Sequence, residues 1–231
     1  MGRVKGRVRF SDSGYEPPDH AEEEPMALKI YGVARSRTIR TLWMAAELGI
    51  PCEHVQVAVG AEGSRKPEYT RLNPNGSVPF IDDEGMILWE SLAINLYLAR
   101  KHGGPLAPAN LGEEGQMTMW SFWAATGVEP HAAQAMYHTQ GYPPDQRDPK
   151  VVQQSLEKLK EPLGVLEGAL ARGGGHLVGG RFTVADLNVA GVVFYLRFNP
   201  EALSDKPGIR AWQAGALGRP AAKQAFALRG D

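Results

Sequence analysis

Strand signals stop at Gly103-Gly104-Pro105, and that break constrains the chain more than any other feature. Before it, short apolar runs alternate with helical spacing. Leu28 to Tyr31 reads as a strand, and Ile39, Leu42, Trp43, Ala46 and Leu48 recur at helical intervals. In that helix Arg37, Arg40 and Glu47 fall on other faces, and Gly49 and Pro51 end it. Glu53 to Val59 alternates as a strand, and a short helix is expected near Pro67 to Leu72. Val78–Ile81 and Met86–Leu88, joined through Asp82-Asp83-Glu84-Gly85, form a hairpin pattern, and Ser91 to Arg100 is helical. After the break, Met117–Ala125, Val151–Ala171, Thr183–Arg197 and Pro207–Leu217 all read as helix, with Pro162 expected to bend the second. A β-α-β-α-β-β-α order followed only by helices predicts an α/β domain over residues 26–105 and an all-α domain over 110–231.

Charge and composition remove several classes of function. In 231 residues, 25 Lys+Arg stand against 26 Asp+Glu, a formal net charge of -1. That balance argues against a protein that binds nucleic acid by neutralising phosphates. The single cysteine, Cys52, excludes an internal disulfide, a CxxC pair and a cysteine-rich zinc site. Cys52 starts a strand, which suits a small packed residue. No apolar run approaches the roughly 20 residues that span a bilayer; Val184–Leu196 is interrupted by Asp186 and Asn188. His131 and His138 lack a carboxylate pattern beside them, so no metal is expected.

Residues 1–25 differ from the rest. Arg3, Lys5, Arg7 and Arg9 precede six acidic residues, and Pro17, Pro18 and Pro25 break any helix. The expectation is a disordered or artefactual extension, with the working chain starting at Met26. An organelle leader and an extra edge strand, suggested by the alternation from Arg3 to Phe10, are the other readings. The acidic second half counts against the leader.

Three places carry chemistry. Asn73-Pro-Asn-Gly-Ser-Val-Pro79 is a loop that enters a strand through a proline, which has no N–H for a ladder. A cis Val78–Pro79 bond would turn the Val78 backbone toward a peptide-like ligand; a tight turn with trans proline is the plainer alternative. Glu90-Ser91 stands where a helix begins. Ser91 suits an N-cap, and the same geometry suits a carboxylate, with Glu90 beside it for an ammonium. Ser36 opens the first helix, either as an N-cap or as a hydrogen-bond donor to a thiolate helped by Arg35 or Arg37.

Four segments, in order, resemble the cytosolic glutathione transferase family in its bacterial, serine-type branch: Ile30-Tyr-Gly-Val-Ala-Arg-Ser36, Leu42-Trp-Met-Ala-Ala-Glu-Leu-Gly49, Asn73–Pro79 and Trp89-Glu-Ser-Leu-Ala-Ile-Asn-Leu-Tyr-Leu98. The resemblance covers residues 27 to 230. It implies a thioredoxin-like first domain that binds glutathione as co-substrate, and a helical second domain. Val78, before a cis-Pro79, would pair with the cysteinyl backbone, Glu90 and Ser91 would hold the γ-glutamyl end, and Ser36 would stabilise the thiolate.

Ser77 stands where the family often has Lys or Gln, so Arg65, Lys66 or His54 is expected to supply a cation to the glycyl carboxylate, with Arg35 also near the tripeptide. The family's second-substrate pocket would take Trp120, Trp123 and Tyr195. Thr183 and Asp186 form a capping-box pattern with Phe182 and Leu187 at the staple positions, a structural role.

The expectation is a cytoplasmic homodimer that attacks a small hydrophobic electrophile with glutathione, without metal, membrane or nucleic acid. A glutathione-dependent isomerase, dehalogenase or disulfide reductase is a variant of that reading. A non-catalytic glutathione- or ligand-binding member is the rival.

Overall fold

The computed structural model describes residues 28–230 and the backbone of strand Lys5–Val8; the rest of the expected 1–25 extension lies outside the described residues. The strands are β1 (Lys5–Val8), β2 (Leu28–Tyr31), β3 (Cys52–Val55), β4 (Phe80–Asp83) and β5 (Met86–Trp89). The α-helices are α1 (Thr38–Leu48), α2 (Pro67–Thr70), α3 (Ser91–His102), α4 (Leu111–Trp123), α5 (Glu129–Met136), α6 (Pro149–Arg172), α7 (Val184–Val193), α8 (Pro207–Gly218) and α9 (Pro220–Ala227). The element order up to α3 follows the sequence pattern, with β1 in front.

The chain divides into two compact units. One holds the residues up to Leu98 together with Pro220 onward; the other is Ala99–Arg219. The helical half expected over 110–231 therefore ends earlier, because α9 joins the α/β unit. The reason is local packing. α9 lies on α1, burying Ala222 and Ala225 and setting the Phe226 ring edge-on to Trp43 at 5.9 Å.

The first unit is built on a mixed sheet of order β1-β3-β2-β4-β5, in which only β2 and β3 run parallel. Helix α1 is enclosed: every residue from Thr38 to Ala46 is buried, because α1 packs beside β2 and under α9. This corrects the expectation for Arg40, which is not on an outer face but 2% exposed. The left-handed Gly49 (φ 64°) closes the helix, its N–H reaching Ala45 and Ala46 carbonyls. Replacing Trp43, fully buried here, with Ala would cost about 3–5 kcal/mol.

The second unit is helical throughout. In α6, Ser155, Leu159, Leu163, Leu166 and Leu170 form the buried stripe, and Pro162 lies inside the helix. Helix α7 is buried on all sides, from Val184 to Val193, as expected of the central helix of a bundle. The α5 and α9 helices carried no distinct signal in the sequence pattern: both are short and rich in alanine, so their apolar stripes are weak.

Candidate functional site

Register puts the chemistry at one end of the sheet. Tyr31 pairs with Phe80, and Phe80 with Trp89. The residues that leave those strands, Gly32, Pro79 and Glu90, are therefore neighbours at the same edge. Each leads directly to a segment singled out in the sequence: the loop to Ser36, the Asn73–Pro79 loop, and the start of α3. Strand pairing alone assembles the three.

The loop before β4 is shaped by Asn73, which is 1% exposed. Its amide donates to the Ser77 carbonyl at 2.9 Å, and its Oδ1 accepts the Asn75 N–H at 3.1 Å. Ser64 donates to the Gly76 carbonyl at 2.7 Å. The Val78–Pro79 peptide is cis. Among the described residues, neither the N–H nor the C=O of Val78 has a hydrogen-bond partner. An unpaired backbone edge beside a sheet is what an extended peptide needs for strand-like pairing.

Close packing brings this edge to the first helix. A methyl group on Gly32 would overlap Thr38 Oγ1 and lie 2.9 Å from Val78 Cβ, so Gly32, Thr38 and Val78 touch. Gly32 has φ 135°, a conformation that side chains avoid, and nothing larger fits there. Ser36 is not the N-cap; that position is Arg37, whose side chain makes no capping bond. Ser36 precedes it and still does the cap's work, accepting the Thr38 N–H at 3.2 Å. Its hydroxyl donates to the Val33 carbonyl at 2.7 Å and shares a 2.8 Å bond with the Thr38 hydroxyl.

At the third segment, Glu90 takes the cap position expected of Ser91: its carbonyl accepts the Ile94 N–H at 2.9 Å, and Ser91 is the first helical residue. Glu90 has φ 74°, rare for a residue with a side chain, and it is exposed. Strain of this kind, about 1–3 kcal/mol, concentrates at functional sites. Ser91 is 5% exposed and accepts a hydrogen bond from Arg40 Nη1 at 3.3 Å.

The expected cations divide. Arg65 and Lys66 are exposed, and their side chains have no ion-pair or hydrogen-bond partner among the described residues; the Arg65 stem lies over Gly76, just ahead of Val78. Arg35 is occupied: Nε donates to the Arg229 carbonyl at 2.9 Å and Nη2 to the Gly230 carbonyl at 3.1 Å. His54 is also not available as a carboxylate's cation. It is 1% exposed, its Nε2 donates to the Gly32 carbonyl at 2.7 Å, and the Gln56 amide donates to its Nδ1 at 3.3 Å. Burial pushes its pKa down against the pull of the Gly32 bond, so it is a neutral core residue.

Other groups are packed rather than reactive. Cys52 is fully buried, and burial alone pushes its thiol up to about 12. Tyr31 stacks on Phe80 with centroids 4.5 Å apart. Among the described residues no cluster of His, Cys, Asp or Glu is arranged to hold a metal, and no helix is long and apolar enough to cross a membrane.

In the second unit, Trp120 meets Trp123 edge-on at 5.0 Å and is 8% exposed, while Tyr195 is half-buried in a 3-10 turn.

Residues 26–100 match the family model for the glutathione S-transferase N-terminal domain, and residues 129–220 that for its C-terminal domain. A probable glutathione S-transferase, GSTF1, of rice (Oryza sativa subsp. japonica) is 31% identical over 87% of this chain and 96% of its own. The chain belongs to the glutathione S-transferase family. Solved structures agree. Glutathione S-transferase-I bound with lactoylglutathione is 30% identical, with a TM-score of 0.78 over 87% of this chain and 99% of that one. The theta class enzyme of Xanthomonas axonopodis pv. citri, with glutathione bound, is 29% identical, with a TM-score of 0.76 over 87% and 98%. The α/β unit and the helical unit are thus the two domains of the transferase architecture.

Two residues of the site lay outside the sequence reading. Thr38 and Arg40 read as ordinary members of α1; Thr38 meets Ser36 locally, two residues away, and only tertiary packing sets Arg40 against Ser91. The one available signal was the arginine itself, placed beside the apolar positions Ile39 and Leu42.

Proposed function

We propose that this chain is a glutathione transferase that holds glutathione at the sheet end formed by Gly32, Pro79 and Glu90 and delivers its thiolate to a small hydrophobic electrophile. The observation that carries the reading is strand register, which sets Gly32, Pro79 and Glu90 side by side and so brings the unpaired Val78 edge beside the loop that leads to Ser36 and the start of α3. Val78 would pair with the cysteinyl backbone. Glu90 would take the γ-glutamyl ammonium and Ser91 its carboxylate, at a helix N-terminus that favours anions. Arg65 and Lys66 are the cations left for the glycyl carboxylate.

Ser36 would act as donor to the sulfur. To do so its hydroxyl turns from the Val33 carbonyl, giving up a bond worth about 1 kcal/mol, while the Thr38 N–H continues to donate to its oxygen. A donor to the thiolate, near the positive end of α1, favours the charged form and lowers the thiol pKa. The thiolate then forms a C–S bond at an electrophilic carbon, and the displaced group leaves with the electron pair. Trp120, Trp123 and Tyr195 would serve the second substrate. Serine chemistry rests on Ser36; the bacterial branch gains nothing from relatives in rice, wheat and maize. Dimerisation and a cytoplasmic setting follow from the family reading.

A second reading is favoured by one observation: the Ser36 proton already has an acceptor in Val33. A member that kept this bond would bind glutathione without activating it. Retention on immobilised glutathione, followed by thiolate absorbance titration of wild type and Ser36→Ala, separates the two. Binding with an unshifted thiol pKa supports the binding-only member. No binding at all removes both. A titration unchanged by Ser36→Ala removes Ser36 from the mechanism.

A further inference from the structure

Arg40 is 2% exposed, an uncommon burial for a guanidinium, and its Nη1 donates to Ser91 Oγ at 3.3 Å. A guanidinium has donors only. Ser91 must therefore be the acceptor in this bond, and its own proton is left over. Among the described residues that proton has no acceptor, although the side chain is 5% exposed and stands on the first turn of the twelve-residue α3. A buried hydroxyl with an unused donor at a helix N-terminus is a group waiting for an acceptor that carries negative charge.

We propose that Arg40 is a positioning residue that fixes the Ser91 hydroxyl as a donor toward the α-carboxylate of the γ-glutamyl group. Arg40 does not touch the ligand; it acts through Ser91. A neutral donor-acceptor side chain in its place would let the Ser91 proton turn inward and present a lone pair to the carboxylate. The cation also adds a buried positive charge below the helix start, where little water screens it. Arg40 thereby ties recognition of one end of glutathione to the same helix that carries Thr38 at its start. This inference rests on the proposed placement of the γ-glutamyl end.

The test is a titration of wild type, Arg40→Gln, Arg40→Lys, Ser91→Ala and Arg40→Gln/Ser91→Ala with glutathione and with γ-aminobutyryl-cysteinyl-glycine, which lacks that carboxylate. Wild type should prefer glutathione. Arg40→Gln should lose about 10-fold of that preference, the double variant should lose no more than Ser91→Ala alone, and Arg40→Lys, again donor-only, should stay within about threefold of wild type. Equal losses for both ligands in Arg40→Gln, or additive losses in the double variant, would overturn the proposal. Should Arg40→Gln not fold, an Arg40→Lys loss as large as that of Ser91→Ala overturns it as well, and Arg40→Lys preference near wild type supports it. Failure of the underlying reading looks different: wild type would not distinguish the two ligands, or Ser91→Ala would change nothing.

Discussion

Helices α7 and α1 begin in opposite ways. At α7, Asp186 is fully buried and its carboxylate collects four donors: the Thr183 N–H at 3.0 Å, the Thr183 hydroxyl at 3.1 Å, the Leu177 N–H at 3.2 Å and the Trp212 indole N–H at 2.9 Å. The capping box is closed, and no lone pair faces solvent. At α1 the cap position holds Arg37, whose side chain makes no capping bond, and the half-buried Ser36 bonds only to near neighbours in sequence, Val33 and Thr38. Local bonds of that kind exchange at small cost. One helix start is closed by buried bonds; the other, on the proposed function, keeps a hydroxyl for the ligand.

The largest expected effect breaks the closed start. Asp186→Ala strands several buried donors and should cost about 3 kcal/mol. For a chain of this length that lowers Tm by about 6–12 °C, read by calorimetry, while glutathione binding persists. An unchanged Tm would refute the capping role.

Next is the open start. Ser36→Ala should leave Tm within a few degrees but lower transfer to a model electrophile about 100-fold, the usual loss for one donor to a developing or stabilised anion. The thiol pKa of bound glutathione should return toward its ordinary value. A Tm loss as large as that of Asp186→Ala would erase the distinction between the two helix starts.

The contrast also explains what was legible beforehand. Thr183 and Asp186 are three residues apart and act on each other, so their box is written in local sequence and was read there. The motifs that carry Ser36, Val78, Glu90 and Ser91 were legible as local sequence, and strand register brings their ends, Gly32, Pro79 and Glu90, side by side. Two of the four expected cations were not legible. Arg35 and His54 have suitable chemistry, but their partners are Arg229, Gly230 and Gly32, and side-chain direction depends on packing that spacing does not encode. Arg40 failed in the same way. A charge beside apolar positions reads as an outer face, and only the layer of α9 over α1 shows that α1 has almost no outer face.

A third, smaller effect sharpens the idea of a closed polar cluster within the helical unit. Glu113 accepts from Arg181 Nη1 at 3.0 Å and Nη2 at 2.6 Å and from the Ala109 N–H at 2.9 Å. The Arg181 bonds, then the Ala109 N–H, hold its pKa down at about 2. A depressed carboxyl stabilises the folded state above the ordinary value, about 4.3, and that contribution is lost as pH falls through about 2. Wild type should therefore lose stability between those limits, and Glu113→Gln should flatten that part of the profile. Parallel profiles would exclude the pair from acid unfolding.

The smallest effect on turnover belongs to Cys52, and it bears on the open start directly. If Ser36 serves a sulfur that arrives with the ligand, the chain's own thiol has no part in transfer. Cys52 is sealed in β3, with its pKa pushed up to about 12 by burial. At pH 8 it is protonated and inaccessible, so a thiol reagent should label native protein slowly and unfolded protein at once. The raised pKa also fixes a sign. The unfolded thiol releases its proton near 8.5 while the folded one keeps it, so this group's contribution to stability falls as pH rises from about 8.5 toward 12. Cys52→Ala should leave the transfer rate and the glutathione thiol pKa within about twofold of wild type, at a packing cost of about 1 kcal/mol for the missing sulfur. A loss of activity without a loss of stability would put the reactive sulfur on the protein, and the Ser36 reading would fall with it.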